Sequence, residues 1–167
     1  MKAAGLILLF LTSATVGVLQ CRRLDDRVAF WNAFLDFLNF TETSIRYAAL
    51  PVPQLLERYN RENGRLELAG FCSAQLSRGL LFPQAWEQAA KSAARHSSLP
   101  NGDLQLLQDF GAGLGTSDVE GQLSHCRLFA ASASEIRQNA KEERQRKGRL
   151  SVLLGVLLGL GIDLVLL

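Results

Sequence analysis

Two runs of residues, one at each end of the chain, constrain its folding more than any other feature. Residues 3–19, "AAGLILLFLTSATVGVL", carry no charge, and residues 151–167, "SVLLGVLLGLGIDLVLL", carry one, Asp163. Each is about 17 residues long, the lower end of what crosses a hydrocarbon core of about 30 Å. The sequence therefore predicts transmembrane helices at residues 1–20 and 150–167. The 129 or so residues between them, 21–149, form one polar domain of ordinary size. A cleaved leader ending at "VLQC" is the competing reading. It is disfavoured because Gln20 stands where a small residue is wanted, Lys2 is the only early cation, and Arg22, Arg23 and Arg27 follow the apolar run.

Those arginines also set an orientation. The second run is preceded by Lys141, Arg144, Arg146, Lys147 and Arg149, so both inner flanks are basic. Positive-inside reasoning places residues 20–149 in the cytoplasm. The whole chain has a formal charge of only +2, which offers no general attraction for nucleic acid. Cys21, Cys72 and Cys126 are odd in number and lack paired spacing. In such a domain they are expected to be reduced, buried and small-apolar in role.

No proline precedes Pro51, so one helix is expected from the first span to about residue 49. Leu24, Val28, Trp31, Leu35, Leu38, Ile45 and Ala49 alternate spacings of four and three, a seam for another helix. Glu42 interrupts that seam, either at an exposed edge or in an interface hydrogen bond. "LPVP" ends the helix. Short helices are expected over 54–60 and 65–78, from near Pro83, and over 104–113. "RENG" (61–64) and "SSLPNGD" (97–103) are expected turns, and Gly79 a helix stop. Val119, Leu123, Cys126, Ala130 and Ala133 repeat the four-three spacing, so a second long helix should run from about 118 into the terminal span. No β alternation occurs. The fold class is all-α: a membrane-anchored helical bundle with two long antiparallel helices bracketing shorter ones.

The glycines of "LLQDFGAGLGTSDVEGQLSHC" (106–126) raise the question of phosphate binding. A dinucleotide loop needs a strand before Gly-x-Gly-x-x-Gly, and a phosphate loop needs Gly-Lys-Ser or Gly-Lys-Thr. Here Gly111, Gly113 and Gly115 follow a helical pattern with no nearby lysine. A helix corner accounts for more of the residues. Gly115 would take the left-handed conformation, Ser117 would cap the next helix with Glu120 completing a capping box, and Asp118 and Glu120 would oppose the helix dipole. His96 and His125 are the only histidines, and His125 and Cys126 lie about 100° apart on a helix. Nothing assembles a catalytic, cofactor or metal site, so the chain is not expected to be an enzyme.

Two stretches carry a resemblance. Phe110, Gly111, Leu114, Gly115, Ser117, Asp118 and Gln122 match a Phe-Gly-x-x-Leu-Gly-x-Ser-Asp-x-x-x-Gln pattern. Glu42, Ile45, Tyr47 and Pro51 match Glu-x-Glu-Ile-x-Tyr-x-x-Thr-Pro-Leu, although Ser44, Leu50 and Val52 depart from it. With the basic flanks and glycine-rich terminal span, the chain resembles the stage III sporulation protein AB family over nearly its whole length. Asp163 interrupts a terminal span that is usually apolar in that family.

The resemblance implies a component of a multi-protein channel between mother cell and forespore, lying in the mother-cell membrane around the forespore. The resemblance also implies that the helical domain is similar to that of the platform proteins of type II secretion and type IV pilus machines. The implied partners are the secretion-type sporulation ATPase (stage III sporulation protein AA) and other membrane components of the channel, with self-association possible in principle. A membrane adaptor or sensor unrelated to secretion is the alternative, and a membrane enzyme a third. The exposed loops, with Arg61, Glu62 and Asp103, are expected to carry part of the ATPase surface. Gly155, Gly159 and Asp163 share one side of the terminal helix, a packing face for another span. Asp163 either pairs with Lys2 or the terminal amine, or stays solvated at the outer boundary.

Overall fold

A computed structural model describes the backbone of residues 2–48, 50–62 and 64–166, and the side chains of 22–48, 50–62 and 64–148. Six helices follow in order: α1 (Lys2–Ala48), α2 (Val52–Glu62), α3 (Glu67–Ser77), α4 (Phe82–His96), α5 (Asn101–Gly113) and α6 (Val119–Leu166). There is no strand among the described residues. The all-α expectation holds, and so does the order of elements. Among the described residues no helix is long and apolar enough to cross a membrane. The side chains of both apolar end runs lie outside those described, and with them the expected packing face of Gly155, Gly159 and Asp163, as does the side chain of Cys21.

The punctuation of the chain explains the helix limits. Pro53 sits in the first turn of α2, where its missing N–H costs nothing, so α2 begins at Val52 rather than at 54. Gly79 has φ +90°, and its N–H and that of Leu80 reach back to the carbonyls of Leu76 and Gln75, closing α3. α5 starts three residues earlier than the sequence suggests. The Pro100 carbonyl accepts from the N–H groups of Asp103 and Leu104, which draws Asn101–Asp103 into the helix and shortens the turn.

α1 and α6 run antiparallel in one register. Arg144 pairs with Asp25 at 2.5 Å, Arg137 reaches Asn32 at 3.4 Å, and Arg127 meets Glu42 at 3.1 Å. Each step along α1 is thus matched by an equal step back along α6. α2 to α5 wrap one side of this pair, each packing on its neighbour in sequence. The seam residues Leu24, Trp31, Leu38 and Ile45 are buried, but so are Phe30, Phe34, Phe37, Thr41 and Ser44 outside it. The reason is that α1 is covered on two sides, so its buried arc is wider than a two-helix seam. Phe34 and Phe37 reach Phe110 of α5 edge-on, with ring centroids 5.4 and 6.3 Å away. Complete burial of such a ring contributes about 1.5–3 kcal/mol. α4 presents Ala85, Ala89 and Ala90 inward, small enough to let the backbone approach the core while Trp86 fills the space between α1 and α5.

Candidate functional site

The corner between α5 and α6 is held by one side chain. Gln122 is 5% exposed. Its Oε1 accepts the Gly115 N–H at 2.9 Å, and its Nε2 donates to the Gly113 carbonyl at 3.0 Å and to Ser117 Oγ at 2.8 Å. One amide therefore satisfies three groups of a turn that could not pair within a helix. Gly115 has φ +81°, the left-handed conformation expected of it.

The capping differs from expectation. Asp118, not Ser117, is the N-cap of α6: its Oδ1 accepts the Gly121 N–H at 3.0 Å and its carbonyl accepts the Gln122 N–H at 2.9 Å. Because α6 starts at Val119, the residue three on from the cap is Gly121, which has no side chain to reciprocate, so no capping box forms. Ser117 turns back to Gln122 instead, and Glu120 is exposed in the first turn, where its charge still opposes the helix dipole.

The remaining glycines of the corner are required by packing. A Cβ on Gly111 would stand 2.0 Å from Trp86 Cδ1, and one on Gly113 would stand 2.3 Å from His125 Cε1. His125 stacks on Phe110 with centroids 5.2 Å apart, and its Nε2 lies 2.9 Å from the Phe110 carbonyl. A carbonyl only accepts, so Nε2 carries the proton and the ring acts as a strut. His96 is exposed, with Nδ1 3.0 Å from the Ser92 carbonyl. Cys72 and Cys126 are buried free thiols, and burial pushes them up to about 12 and about 11. Such thiols are not nucleophiles near neutral pH. Among the described residues no group of three or more His, Cys, Asp or Glu could hold a metal ion.

The second stretch comes to the same place. Glu42 sits on the seam at 26% side-chain exposure and accepts from Arg46 at 2.7 Å and Arg127 at 3.1 Å. Its two sequence readings merge: an interface bond at a partly exposed edge. Burial raises its carboxyl, but the two arginines outweigh that and hold it below the ordinary value. Ile45 and Pro51 line a mostly apolar groove of about 460 Å³ together with Val52, Leu114, Gly115 and Gln122. Two stretches far apart in sequence thus meet at the end of the bundle remote from the apolar runs. Tyr47, two residues beyond Ile45 on α1, is not part of the groove lining and is 83% exposed.

At the other end of α5 the structure corrects a loop assignment. Asp103 is not an exposed turn residue but 3% exposed. Arg27 Nε and Nη2 donate to its two oxygens at 2.7 Å each, and Trp31 Nε1 donates to Oδ2 at 2.8 Å. The cause is the early start of α5, which turns position 103 toward α1. Arg61 and Glu62 are exposed as expected but belong to the last turn of α2 rather than to a loop, with Glu62 accepting from Arg58 at 2.8 Å. A sequence signal for the Arg27–Asp103 pair existed only in part: Arg27 lies one turn before Trp31, on the buried face.

The family model for stage III sporulation protein AB matches residues 2–167. No curated protein and no solved structure matches the chain.

Proposed function

This chain belongs to the stage III sporulation protein AB family, which gives it a role in stage III of sporulation, and from that premise we propose that it is a non-enzymatic membrane platform. In this reading the runs at 3–19 and 151–167 anchor the chain, and residues 20–149 face the mother-cell cytoplasm. The platform couples a secretion-type ATPase to the membrane components of the channel between mother cell and forespore.

One observation carries the coupling surface. Most positions of the two family stretches have a use within the fold: Phe110 and Gly111 in packing, Gly115 and Asp118 in the turn, Gln122 as its clamp. Tyr47 does not. It is 83% exposed and makes no hydrogen bond among the described residues. Tyr47 lies two residues beyond the groove-lining Ile45 but outside the groove itself, and an exposed tyrosine at a helix tip has the composition of an interface anchor. It stands at the tip of α1, about 38 Å along the helix from Arg22 at 1.5 Å per residue, within reach of a cytoplasmic partner.

Co-purification of the full chain with the sporulation ATPase tests this reading. Tyr47→Ala together with Val119→Asp, both at exposed positions of the tip, should abolish capture while leaving the helical signal unchanged. Capture at the wild-type level by that double variant would overturn the assignment of the tip. Failure of the wild-type chain to capture the ATPase in membranes that also hold the other channel components would overturn the platform reading.

A further inference from the structure

The charge of this protein is layered along the paired helices. Residues 22–27 and 141–149 hold eight Lys or Arg against four Asp or Glu, whereas the remaining chain holds ten against twelve. Within that region six of the eight cations stand nearer the apolar runs than the acids do, and only Arg27 and Lys141 lie beyond them. Leading out from residue 19, α1 presents Arg22 and Arg23 before Asp25 and Asp26. Leading out from residue 151, α6 presents Arg149, Lys147, Arg146 and Arg144 before Glu143 and Glu142.

The register of α1 against α6 brings these cations to one level. Asp25 faces Arg144, so Arg23 and Arg22 stand level with Arg146 and Lys147. Of the acids one turn further out, Asp25 is taken by Arg144 and Glu143 by Lys147 at 2.7 Å, and Arg27 is taken by Asp103, whereas Asp26 and Glu142 have no cation within 4.0 Å among the described residues. Arg22, Arg23 and Arg146 are exposed and have no acidic partner within 4.0 Å among the described residues. Like charges gathered at one level repel unless an anion lies between them. Their distance from the apolar runs is about 5–8 Å along the helix axis, the depth of a headgroup layer rather than of bulk solvent.

We propose that Arg22, Arg23 and Arg146 form a collar that binds the phosphates of anionic phospholipid headgroups. Guanidinium groups suit this task because their fork of donors matches phosphate oxygens. The collar rests on the anchoring reading above. It adds a chemical preference for one class of lipid, which anchoring alone does not require.

The test uses the full chain reconstituted in phosphatidylcholine vesicles containing a minority of phosphatidylglycerol, then extracted in neutral detergent. Mass spectrometry counts the lipids that stay bound. A basic residue near an anionic surface favours it about fivefold, so phosphatidylglycerol should be enriched about fivefold or more over the starting ratio. High salt should reduce the enrichment. Arg22→Gln, Arg23→Gln and Arg146→Gln combined should return the ratio to its starting value, whereas Arg61→Gln with Arg78→Gln should leave the enrichment intact. Labelling of a cysteine at position 102 keeps topology in view: the triple variant should show the wild-type orientation. No enrichment by the wild type, or full enrichment by the triple variant, overturns the collar. Displacement of the lipid by inorganic phosphate, beyond that by chloride of equal ionic strength, would assign the arginines to free phosphate and also overturn it. Alkaline carbonate separates the two readings. A chain released by carbonate overturns the anchoring and the collar with it, whereas a retained chain indifferent to phosphatidylglycerol overturns the collar alone.

Discussion

Gly111→Ala sets two effects of opposite sign against each other. Within a helix, alanine is favoured over glycine by about 1 kcal/mol, so α5 taken alone would gain. Packing opposes that gain. The new methyl would lie 2.0, 2.3 and 2.5 Å from Cδ1, Nε1 and Cγ of Trp86, where ordinary contact begins at 3.4 Å. The indole cannot retreat freely, because Trp86 is 1% exposed and bounded by Phe37, Phe82 and Phe110. Its Nε1 also donates to the Leu107 carbonyl at 2.7 Å, a bond that a displaced ring would lose. Overpacking costs about 1–3 kcal/mol and an unsatisfied buried donor about 1–3 kcal/mol, so the net loss should be about 3 kcal/mol. The two tryptophans, Trp31 and Trp86, are both in the core and report its unfolding by fluorescence. In a urea titration of the full chain in mild detergent, a slope of about 2 kcal/mol per molar makes the midpoint fall by about 1.5 M. Gly102→Ala, in the first turn of the same helix with nothing within 4 Å, should leave the midpoint unchanged or slightly higher. A Gly111→Ala midpoint equal to that of the parent would refute the close approach of α5 to Trp86.

Asp103→Ala strands the Arg27 fork and the Trp31 N–H; with Arg27 still 18% exposed, the loss should sit near the lower end for a broken buried pair, about 3 kcal/mol, read from thermal melts. Asp118→Ala should cost about 1 kcal/mol as a lost cap, and Ser117→Ala less, an order that hydrogen exchange at the Gly121 amide can check. In a Cys21→Ser background, Cys72 and Cys126 should resist iodoacetamide at pH 8 and react once urea unfolds the chain. Their raised folded values, about 12 and about 11 against an ordinary 9.0, make the associated stability complete below pH 9 and progressively lost as pH climbs from 9 toward 12, which urea midpoints taken across that range should follow. Glu42→Gln combined with Arg127→Ala in a double-mutant cycle should give a coupling of no more than about 1 kcal/mol, since both side chains retain solvent contact.

Much of this architecture was legible because proline and glycine punctuate the chain at every short connection. Pro51, Pro83, Gly79 and Gly115 each mark a boundary for a backbone reason that no tertiary contact overrides. Trp31, Leu38 and Ile45 were legible for a similar reason, since their spacing matches one helix face. Phe34 and Phe37 were not, because a seam describes contact with one neighbour and α1 has several. Asp103 looked like loop polarity, and only the placement of α5 against α1 gives it Arg27 as a partner 76 residues away. At the corner, Gln122 was visible as part of a pattern, but its clamp depends on the turn being folded. The cap moved from Ser117 to Asp118 because a one-residue shift in helix start, invisible to composition, decides which side chain meets a free N–H.

α5 is fastened at both ends to different long helices. Near its start, Asp103 is gripped by Arg27 and Trp31 of α1, and at its finish the Phe110 and Gly113 carbonyls are gripped by His125 and Gln122 of α6. In mechanical terms it is a diagonal brace, and a braced frame resists shear where two parallel rods do not. Sliding α1 past α6 by one turn, about 5.4 Å, would break one fastening or the other. A push delivered at the tip is therefore transmitted as rotation or translation of the whole frame. The tip and the arginine level are separated by about 38 Å of helix, so even a small tilt at one end becomes a displacement of several ångströms at the other.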